Sequence, residues 1–355
     1  IDKKISILSR GLKQDLVLKT EIDKENKIII DGQLIGEFKG LKFLIELTSK
    51  TLDTDIKSIK KAARKGVVEE LNKRVSEIVK NPEIIFDNSG KFIWKGNPIA
   101  KTKKGHNYLS PEIEIIADES LETESKVKLE DFLKKWFLGY LNDILGDLIN
   151  LTKQKIQNQY LRALVFQLYE KNGVIKRAEI DNIVKLIPQN ERKKLWGMGI
   201  KIGRYHVYLP KMLKPKAVEF RVSLWKIYHS QDNGEKIPKS GLNFINNKNY
   251  EKKFLLLCGF ENFKEFFIRI DILEKLFIKI LNNTKDRKFK INAEMMNLLG
   301  CTKDNFYKLM SLMNYKKDRD KDTYIFKGEK KKISKIIKFD KKENPFKKLL
   351  SLNLK

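Results

Sequence analysis

Cysteine, histidine and long apolar runs are scarce in this 355-residue chain, and each scarcity excludes a class of protein. The two cysteines, Cys258 and Cys301, are too few for a framework of disulfides, which favours a reduced compartment such as the cytoplasm. No run of about 18 apolar residues is present, so we expect no membrane-spanning helix and no membrane partner. No signal peptide is evident, and the first residues are typical of the middle of a helix, which predicts a fragment of a longer protein.

The sequence motifs of common enzymes are also missing. There is no G-x-x-x-x-G-K-S/T phosphate loop, no G-x-G-x-x-G turn and no G-x-S-x-G nucleophile elbow. The histidines, His106, His206 and His229, have no cysteine or acidic neighbour at the spacing of a metal site. Paired carboxylates such as Glu69 and Glu70 lie in charge-rich stretches typical of solvated helix faces. We therefore assign no catalytic residue, no metal ligand and no cofactor to this chain itself.

Positive charge, by contrast, is abundant. Lysine and arginine total 74 against 46 aspartates and glutamates, which gives a formal net charge of +28. An excess of this size indicates a polyanionic partner. Only 11 of the 74 cations are arginines, and isoleucine and asparagine are also frequent, as AT-rich codon usage would produce. That bias exchanges one cation for the other and does not create an excess over anions, so nucleic acid is the expected partner.

Two stretches that are 64 positions apart align and predict an internal duplication. The first runs from Asp23 to Gly36 and the second from Asp87 to Ala100, with Asp, Lys, Ile, Gly and Ile recurring in register. Each copy is typical of three short strands joined by Asx or glycine turns. A basic amphipathic helix precedes each copy, at 2–13 and 57–80. Residues 1–118 are therefore predicted to be a helix-plus-meander unit in two copies, about 1–56 and 57–118.

The aromatic residues of the second copy leave two interpretations open. Phe92, Trp94 and Tyr108 would stack on bases if the sheet is a basic nucleic-acid surface. They would fill a core if the sheet packs against its neighbours. The second interpretation is favoured, because alternating aromatics in a short sheet usually bury themselves.

Residues 119–229 are predicted to form a helical domain with one strand. Apolar residues recur with a 3.6-residue period between Val127 and Leu148, and a second helix ends at Asn172-Gly173. The alternating stretch 199–210 predicts the strand, and a further helix begins near Pro215. The polar residues 230–252 are predicted to be a linker.

Residues 253–327 are predicted to be a winged-helix-like domain. Strands are expected at 255–260 and 266–270, and helices at 272–282, 293–299 and 303–314. Gly300 separates the last two helices, as in a helix-turn-helix motif. A charged hairpin at 315–327 would be the wing. The expected nucleic-acid contacts are Lys303, Asn305 and Lys308 on the last helix and Lys316, Lys317 and Arg319 in the wing. The other interpretation is a winged helix that is used only for packing against protein.

Residues 328–355 are predicted to be a disordered basic tail, because ten lysines face only three acids there. Lys330, Lys331 and Lys332 directly follow the wing and are added to the expected phosphate contacts. Such an arm adds affinity for phosphate without a preference for sequence.

One stretch resembles a known family. Residues 195–225, which include Gly199-Ile-Lys-Ile-Gly-Arg-Tyr-His-Val-Tyr-Leu-Pro210, are similar to the C-terminal region of alphaproteobacterial superfamily-two DExH RNA helicases of the mitochondrial degradosome type. The opening Ile1-Asp-Lys-Lys, the Asp-Gly-x-x-Ile-Gly motif around Gly32 and the stretches 269–276 and 294–301 fit the same region.

The resemblance implies a parent enzyme that binds ATP and Mg²⁺ and hydrolyses ATP to move along or unwind RNA. In that family the motor motifs lie upstream, so this chain is expected to be an accessory region that holds or guides single-stranded RNA without a preference for sequence. Arg204 lies inside the matching stretch and is added to the expected RNA contacts.

Two other functions stay open. One is a non-enzymatic module that docks the helicase onto a ribonuclease or a ribosome. The other is a stand-alone DNA-binding regulator, which the repeat and the long helical middle argue against. The predicted fold class is α+β and mostly helical, with duplicated small β-meander units, a helical middle domain and a winged-helix-like C-terminal unit with a basic tail.

Overall fold

The computed structural model describes residues 20–23, 26–30, 33–45, 53–230, 234–318 and 322–326. These residues form an α+β structure of helices and small antiparallel sheets, as the sequence predicts. The chain divides into two compact parts, Ile1–Phe277 and Ile278–Lys355, which we call unit 1 and unit 2. The predicted helix at 2–13, the contact Arg319 and the tail with Lys330, Lys331 and Lys332 lie outside the described residues.

A four-stranded antiparallel sheet comes first in unit 1. Its strands follow the order β1 (Thr20–Ile22), β2 (Lys27–Ile30), β3 (Gln33–Lys39) and β4 (Lys42–Ile45). Alternation along the strands places Ile28 and Phe38 in the core. Helix α1 (Asp53–Lys80) follows, and its buried Arg74 donates hydrogen bonds to the Gly40 carbonyl oxygen at 2.9 Å and to Asn26 Oδ1 at 2.6 Å. The sheet is thereby fastened to the helix.

A second four-stranded antiparallel sheet has the same strand order. Its strands are β5 (Ile84–Phe86), β6 (Lys91–Trp94), β7 (Asn97–Asn107) and β8 (Ser110–Ile115). In both sheets the register of the central strand pair shifts by one residue, directly after Ile28 in the first and directly after Phe92 in the second. The turn residues Asn26 and Gly90 both have positive φ, 62° and 79°. Each of these pairs of positions is 64 residues apart, as in the sequence alignment.

Two aromatic side chains of the second sheet are buried. Phe92 is 0% exposed and Trp94 is 3% exposed. The Phe92 ring lies 5.2 Å from that of Phe86 and 5.9 Å from that of Trp136, centre to centre. Stacking of Phe92 or Trp94 on bases is therefore excluded, and both belong to the core. Tyr108, in the turn between β7 and β8, is only half-buried.

The next five helices along the chain follow this second sheet, and the first and the last of them pack against it. They are α2 (Thr123–Lys153), α3 (Gln159–Glu170), α4 (Arg177–Leu186), α5 (Gln189–Gly197) and α6 (Pro215–His229). Helix α2 is kinked at Leu145 and buries a stripe of apolar residues at helical spacing. The Asn158 side chain caps the start of α3 by accepting two backbone N–H groups. The left-handed Asn172 and Gly173 follow its end, as the sequence predicts.

The single strand predicted over 199–210 is in fact a hairpin. Strands β10 (Lys201–Ile202) and β11 (His206–Tyr208) pair with each other, and β11 also pairs with β9 (Val174–Lys176). The turn between them is held by the Glu274 carboxylate, which accepts the backbone N–H groups of Arg204, Tyr205 and His206 at 2.6, 2.8 and 2.9 Å. Alternation along the sequence cannot show a partner so distant in the chain, so the turn was missed.

The predicted linker and the start of the predicted C-terminal domain need correction. Strand β12 (Phe244–Asn246) lies inside the linker and pairs with β14 (Phe266–Arg269), which also pairs with β13 (Phe260–Phe263). The strand predicted at 255–260 is instead the end of helix α7 (Lys252–Leu257), followed by Gly259. A short apolar run such as Phe-Leu-Leu-Leu fits a helix or a strand equally well. Residues 253–277 belong to unit 1.

Helix α8 (Ile270–Asn282) leads into unit 2. There the order is β15 (Thr284–Lys285), β16 (Lys288–Lys290), α9 (Ala293–Leu299), α10 (Lys303–Leu312), β17 (Tyr315–Lys317) and β18 (Thr323–Phe326). The strands form a sheet in the order β15-β16-β18-β17. Gly300, at φ 68°, ends α9, and the Thr302 side chain caps α10 by accepting the Asn305 N–H. Phe289, Phe306 and Tyr324 are buried in this unit.

Candidate nucleic-acid interface

In unit 2, one face of α10 and the hairpin β17–β18 meet at Tyr307. Lys303 is four residues before Tyr307 and shares its helix face, and its Nζ lies 5.5 Å from the centre of the Tyr307 ring. The Nζ of Lys317, in β17, lies 5.3 Å from the same ring centre. Both amines are within the range of a cation–π contact. We call Lys303, Tyr307, Lys317 and Asp322 the Tyr307 cluster.

Asp322 reduces the positive charge of this cluster. The Tyr307 hydroxyl donates a hydrogen bond to the Asp322 carboxylate, and Lys303 Nζ lies 3.6 Å from Asp322 Oδ1. The hydrogen bond from Tyr307, together with the charge of Lys303, lowers the pKa of Asp322. Contact with Tyr307 and with the Asp322 charge raises the pKa of Lys303. The cluster therefore combines two exposed lysine side chains with one carboxylate.

The other predicted contacts of unit 2 lie on different faces. Lys308 is exposed, but it lies about 140° around the helix from Lys303. Asn305 is half-buried and its N–H is used in the cap of α10. Lys316 precedes Lys317 in β17, so its side chain leaves the opposite face of the sheet. The structure thus brings Lys303 and Lys317 together and separates Lys308, Asn305 and Lys316 from them.

Arg204 lies in unit 1, in the turn between β10 and β11. Its side chain is half-buried, and its Cζ lies 5.8 Å from the centre of the Phe277 ring. Its backbone N–H is bound by Glu274 at 2.6 Å. The turn is therefore fixed in place, and Arg204 belongs to a different unit from the Tyr307 cluster.

A buried ion cluster lies beside this turn. His206 Nε2 is 2.6 Å from Glu261 Oε2, and Lys176 Nζ is 2.6 Å from Glu261 Oε1. Burial opposes the charge of His206, but the hydrogen bond with Glu261 and the nearby Glu274 carboxylate, 3.7 Å from Nδ1, outweigh the effect of burial and raise the pKa of His206. Burial also opposes the charge of Glu261, but His206 and Lys176 outweigh it and lower the pKa of Glu261. The cluster ties β9, β11, β13 and α8 together.

The cysteines and the acidic residues give no reactive centre in the described part of the chain. Burial raises the pKa of Cys258 to about 12 and that of Cys301 to about 11, so neither thiol is an activated nucleophile. Among the described residues, no three His, Cys, Asp or Glu side chains are grouped so that they could hold a metal ion. In the same residues, no helix combines the length and the apolar character needed to cross a membrane.

Tyr307 and Asp322 were not predicted from the sequence. The spacing of four residues between Lys303 and Tyr307 was a usable signal, because such pairs share a helix face. Asp322 and Lys317 reach the same place through the register of β17 on β18, in which Lys317 pairs with Tyr324. That register is set by the hairpin and not by any local pattern.

Part of this chain is similar in sequence to a known protein. No family model matches the chain, and no solved structure matches it. The DNA-directed RNA polymerase subunit beta'' of Gracilaria tenuistipitata var. liui is 26% identical to it over 226 residues. The match covers 58% of this chain and 18% of that protein, so the chain spans less than a fifth of the relative's length. Over part of its length the chain is therefore similar to a polymerase subunit, and this likeness shows no family.

Proposed function

We propose that this chain is an accessory, RNA-binding region of an ATP-dependent RNA helicase. It holds or guides single-stranded RNA, while a motor outside these residues binds ATP and Mg²⁺. The observation that carries the binding part is the Tyr307 cluster, where two exposed lysines from a helix and a hairpin flank one aromatic ring. The helicase part rests on the resemblance of residues 195–225. The polymerase subunit is by its name a nucleic-acid enzyme, which agrees with a nucleic-acid partner.

The order of the helices and strands from α8 to β18 supports the interpretation of this region as a winged helix. Along the chain, helix α8, strand β16, helices α9 and α10 and the hairpin β17–β18 follow one another, and β18 pairs with both β16 and β17. In helix-turn-helix proteins the second helix of the motif contacts nucleic acid. Here that helix is α10, which carries Lys303 and Tyr307.

The shared register of the two sheets in unit 1 supports duplication of residues 1–118. The one-residue shift after Ile28 and after Phe92 recurs at the same offset as the aligned sequence. A register shift is set by the backbone as well as by side chains, so its recurrence adds to the alignment. In this proposal the two meanders are a scaffold, since Phe92 and Trp94 are in the core.

The composition of unit 2 favours contacts to phosphate over reading of bases. Residues 278–326 contain eleven lysines and arginines against six acids, and nine of the eleven are lysines. Lysine meets phosphate as a point charge, whereas two-pronged hydrogen bonding to guanine is chiefly made by arginine. We therefore expect affinity with little sequence preference and a strong dependence on salt.

Titration of labelled single-stranded RNA into the full chain at several salt concentrations tests the binding part. We expect a log–log slope of about −3 or steeper, because each phosphate contact on a single strand contributes roughly −0.7. The double variant Lys303→Gln, Lys317→Gln is expected to bind all sequences more weakly and to lose about 1.4 of the slope.

A matched control is available in helix α2. The double variant Lys126→Gln, Lys128→Gln removes two exposed lysines of unit 1 and changes the net charge equally. It is expected to keep the slope of the unmodified chain. If both double variants lose the same part of the salt slope, or if the affinity for RNA does not change with salt, the proposed role of the Tyr307 cluster is contradicted.

The helicase part has its own test. Sequencing the genomic DNA upstream of the codon for Ile1 is expected to show a phosphate loop and a DExH motif within several hundred codons of the same reading frame. Their absence would remove the helicase part and leave the RNA-binding part standing. The chain alone is expected to release no phosphate from ATP, with or without RNA.

The second candidate function is docking onto a ribonuclease or a ribosome. The observation that favours it is the exposure of apolar side chains in unit 1, with Trp196 78% and Leu186 54% exposed. Docking through such residues gives a shallow dependence on salt, so the same titration separates the two functions.

A further inference from the structure

An aromatic cleft of about 320 Å³ opens in unit 1 where three segments that are distant in sequence come together. The segments are the turn between β7 and β8, the end of α3 with the turn after it, and the last turn of α6. The cleft is lined by Tyr108, Tyr169, Asn172, Trp225, Tyr228 and His229, together with Asn107 and the acidic Glu170.

The last turn of α6 gives the cleft an aromatic wall. Trp225, Tyr228 and His229 are spaced three and four residues apart, so they share one helix face. The ring centres of Trp225 and His229 are 4.5 Å apart, and those of Tyr228 and His229 are 5.2 Å apart. His229 Nδ1 lies 3.0 Å from the Trp225 carbonyl oxygen, which fixes the imidazole. Lys104 Nζ, 5.2 Å from the Tyr228 ring centre, places a positive charge beside this wall.

Two buried polar atoms of the lining residues have no hydrogen-bond partner within the described part of the chain. They are the Tyr108 hydroxyl and Asn172 Oδ1. A buried polar group without a partner costs free energy, and native proteins leave few of them. A hydroxyl can donate and an amide oxygen can accept, so together they suit a flat ligand with both acceptors and donors on its edge.

Arg221 holds the Asn172 turn from behind. It is 1% exposed and donates hydrogen bonds to the carbonyl oxygens of Asn172 and Met212 at 2.7 Å and of Leu257 at 3.1 Å. Among the described residues no acidic side chain pairs with this guanidinium. The turn that carries Asn172, one of the three segments of the cleft, is therefore held in place by a buried guanidinium.

We propose that this cleft binds one unpaired nucleobase. The base stacks on the wall of Trp225 and His229, its edge meets the Tyr108 hydroxyl and the Asn172 side chain, and Lys104 faces its phosphate. Stacking on aromatic side chains accepts any base, because every base has a π-face. The base comes from a free mononucleotide or from an RNA strand, since the chemistry is shared. The site lies in unit 1 and does not depend on the Tyr307 cluster of unit 2.

Tryptophan fluorescence of the full chain, titrated with AMP, tests the stacking. AMP is expected to quench the emission, and ribose 5-phosphate, which lacks the base, is not. Trp225→Phe is expected to abolish the quench, whereas Trp196→Phe, which changes an exposed tryptophan that does not line the cleft, keeps it. Equal effects of ribose 5-phosphate and AMP would overturn the proposal. So would quenching by tetramethylammonium without quenching by AMP, because that marks a cage for cations.

The variant Tyr108→Phe tests the edge contact. It removes only the hydroxyl, so the affinity for AMP, followed by calorimetry, is expected to fall by roughly tenfold, the size of one hydrogen bond. The melting temperature is expected to stay the same or to rise, because an unpaired buried hydroxyl is lost. A lower melting temperature with unchanged AMP affinity would overturn the proposal, since the hydroxyl would then serve the fold.

Competition distinguishes the two sources of the base. Displacement of AMP by a single-stranded RNA decamer, but not by its duplex, supports an RNA base as the occupant. AMP binding that the decamer does not disturb supports a free nucleotide. The variant Lys303→Gln, Lys317→Gln is expected to leave AMP binding unchanged, so failure of the cleft and failure of the proposed function are separately visible.

Discussion

At the scale of single residues, the pair of His206 and Glu261 makes the stability of unit 1 depend on pH. The pKa of Glu261 in the folded chain is lowered from an ordinary value of 4.5. The contribution of Glu261 to folding stability is therefore complete above pH 4.5 and is lost as pH falls through this lowered pKa. The pKa of His206 is raised from 6.5, so its contribution is complete below pH 6.5 and is lost as pH rises through the raised value. The pair therefore stabilises most between pH 4.5 and 6.5.

Glu261→Gln is expected to destabilise unit 1 by about 3 kcal/mol inside that window, because it leaves His206 and Lys176 without their buried anion. The difference from the unmodified chain should narrow as pH rises through the folded pKa of His206. Melting temperatures measured from pH 4 to pH 9 check this. His106→Gln, at an exposed histidine, is the control and should follow the unmodified chain. Parallel curves for Glu261→Gln and the unmodified chain would show that the pair does not carry the pH dependence.

The sequence predicted Lys303 and Lys317 as contacts to nucleic acid for local reasons, and their role stays a prediction. Lys303 and Lys317 were chosen for their charge next to a helix start and a hairpin, and the structure places both at one ring. Tyr307 and Asp322 were not predicted, although both lysines lie at the Tyr307 ring and Asp322 lies 3.6 Å from Lys303. The residues of the aromatic cleft come from segments around positions 108, 170 and 227, and only the packing of unit 1 brings them together.

At the scale of elements, two glycine turns of the second sheet have the same backbone and different surroundings. Gly90 and Gly96 have φ of 79° and 78°. A Cβ at Gly90 would lie 2.4 Å from Thr102 Oγ1 and 2.5 Å from Ile227 Cδ1, whereas the described residues leave open space within 4 Å of a Cβ at Gly96. Thr102 also donates a hydrogen bond to the Gly90 carbonyl oxygen at 2.9 Å. Gly90 therefore needs both its conformation and its small size.

Gly96→Ala is expected to lower the free energy of unfolding by about 1 kcal/mol, which is the strain of an alanine in the left-handed conformation. Gly90→Ala should lower the free energy of unfolding by more, on the order of 3 kcal/mol, because the side chains of Thr102 and Ile227 must also shift. Denaturant unfolding of both variants measures the difference. If both variants lose the same free energy of unfolding, the lack of space at Gly90 does not matter and the positive φ alone accounts for the effect.

Helices were predicted more accurately than strands, for a physical reason. Local residues mark three of the predicted helix ends: Asn172-Gly173 follows α3, Gly300 ends α9 and Thr302 caps α10. All of them act on neighbouring backbone groups. The hairpin of β10 and β11 and the strand β12 have no such local signal. Each depends on pairing with a distant strand or on the Glu274 carboxylate.

At the scale of the whole molecule, each unit has its own buried apolar residues. Leu299, 1% exposed, lies in unit 2, and Leu164, 0% exposed, lies in unit 1. The sequence pattern placed the division at residue 253, where polarity changes, but the chain divides within helix α8. A continuous helix gives no break in periodicity, so composition alone cannot mark that position.

Leu299→Ala is expected to destabilise unit 2 by about 3 kcal/mol, because it removes a buried side chain and leaves a cavity. Hydrogen exchange followed by mass spectrometry should show lost protection in residues 284–326 and unchanged protection in α2 and α3. Leu164→Ala should give the reverse pattern. Equal loss of protection in both units for either variant would show that they unfold as one.

The Glu274 carboxylate also introduces an order in time. The ribosome makes the turn at 203–205 and then needs roughly 4 to 14 seconds to reach residue 274, at about 5–20 residues per second. During that interval the three N–H groups that Glu274 will bind are hydrated, and closing a loop of this length carries an entropic cost. The hairpin of β10 and β11 is consequently completed only after residue 274 has been made, and a nascent chain that stops before α8 leaves these three N–H groups without their carboxylate.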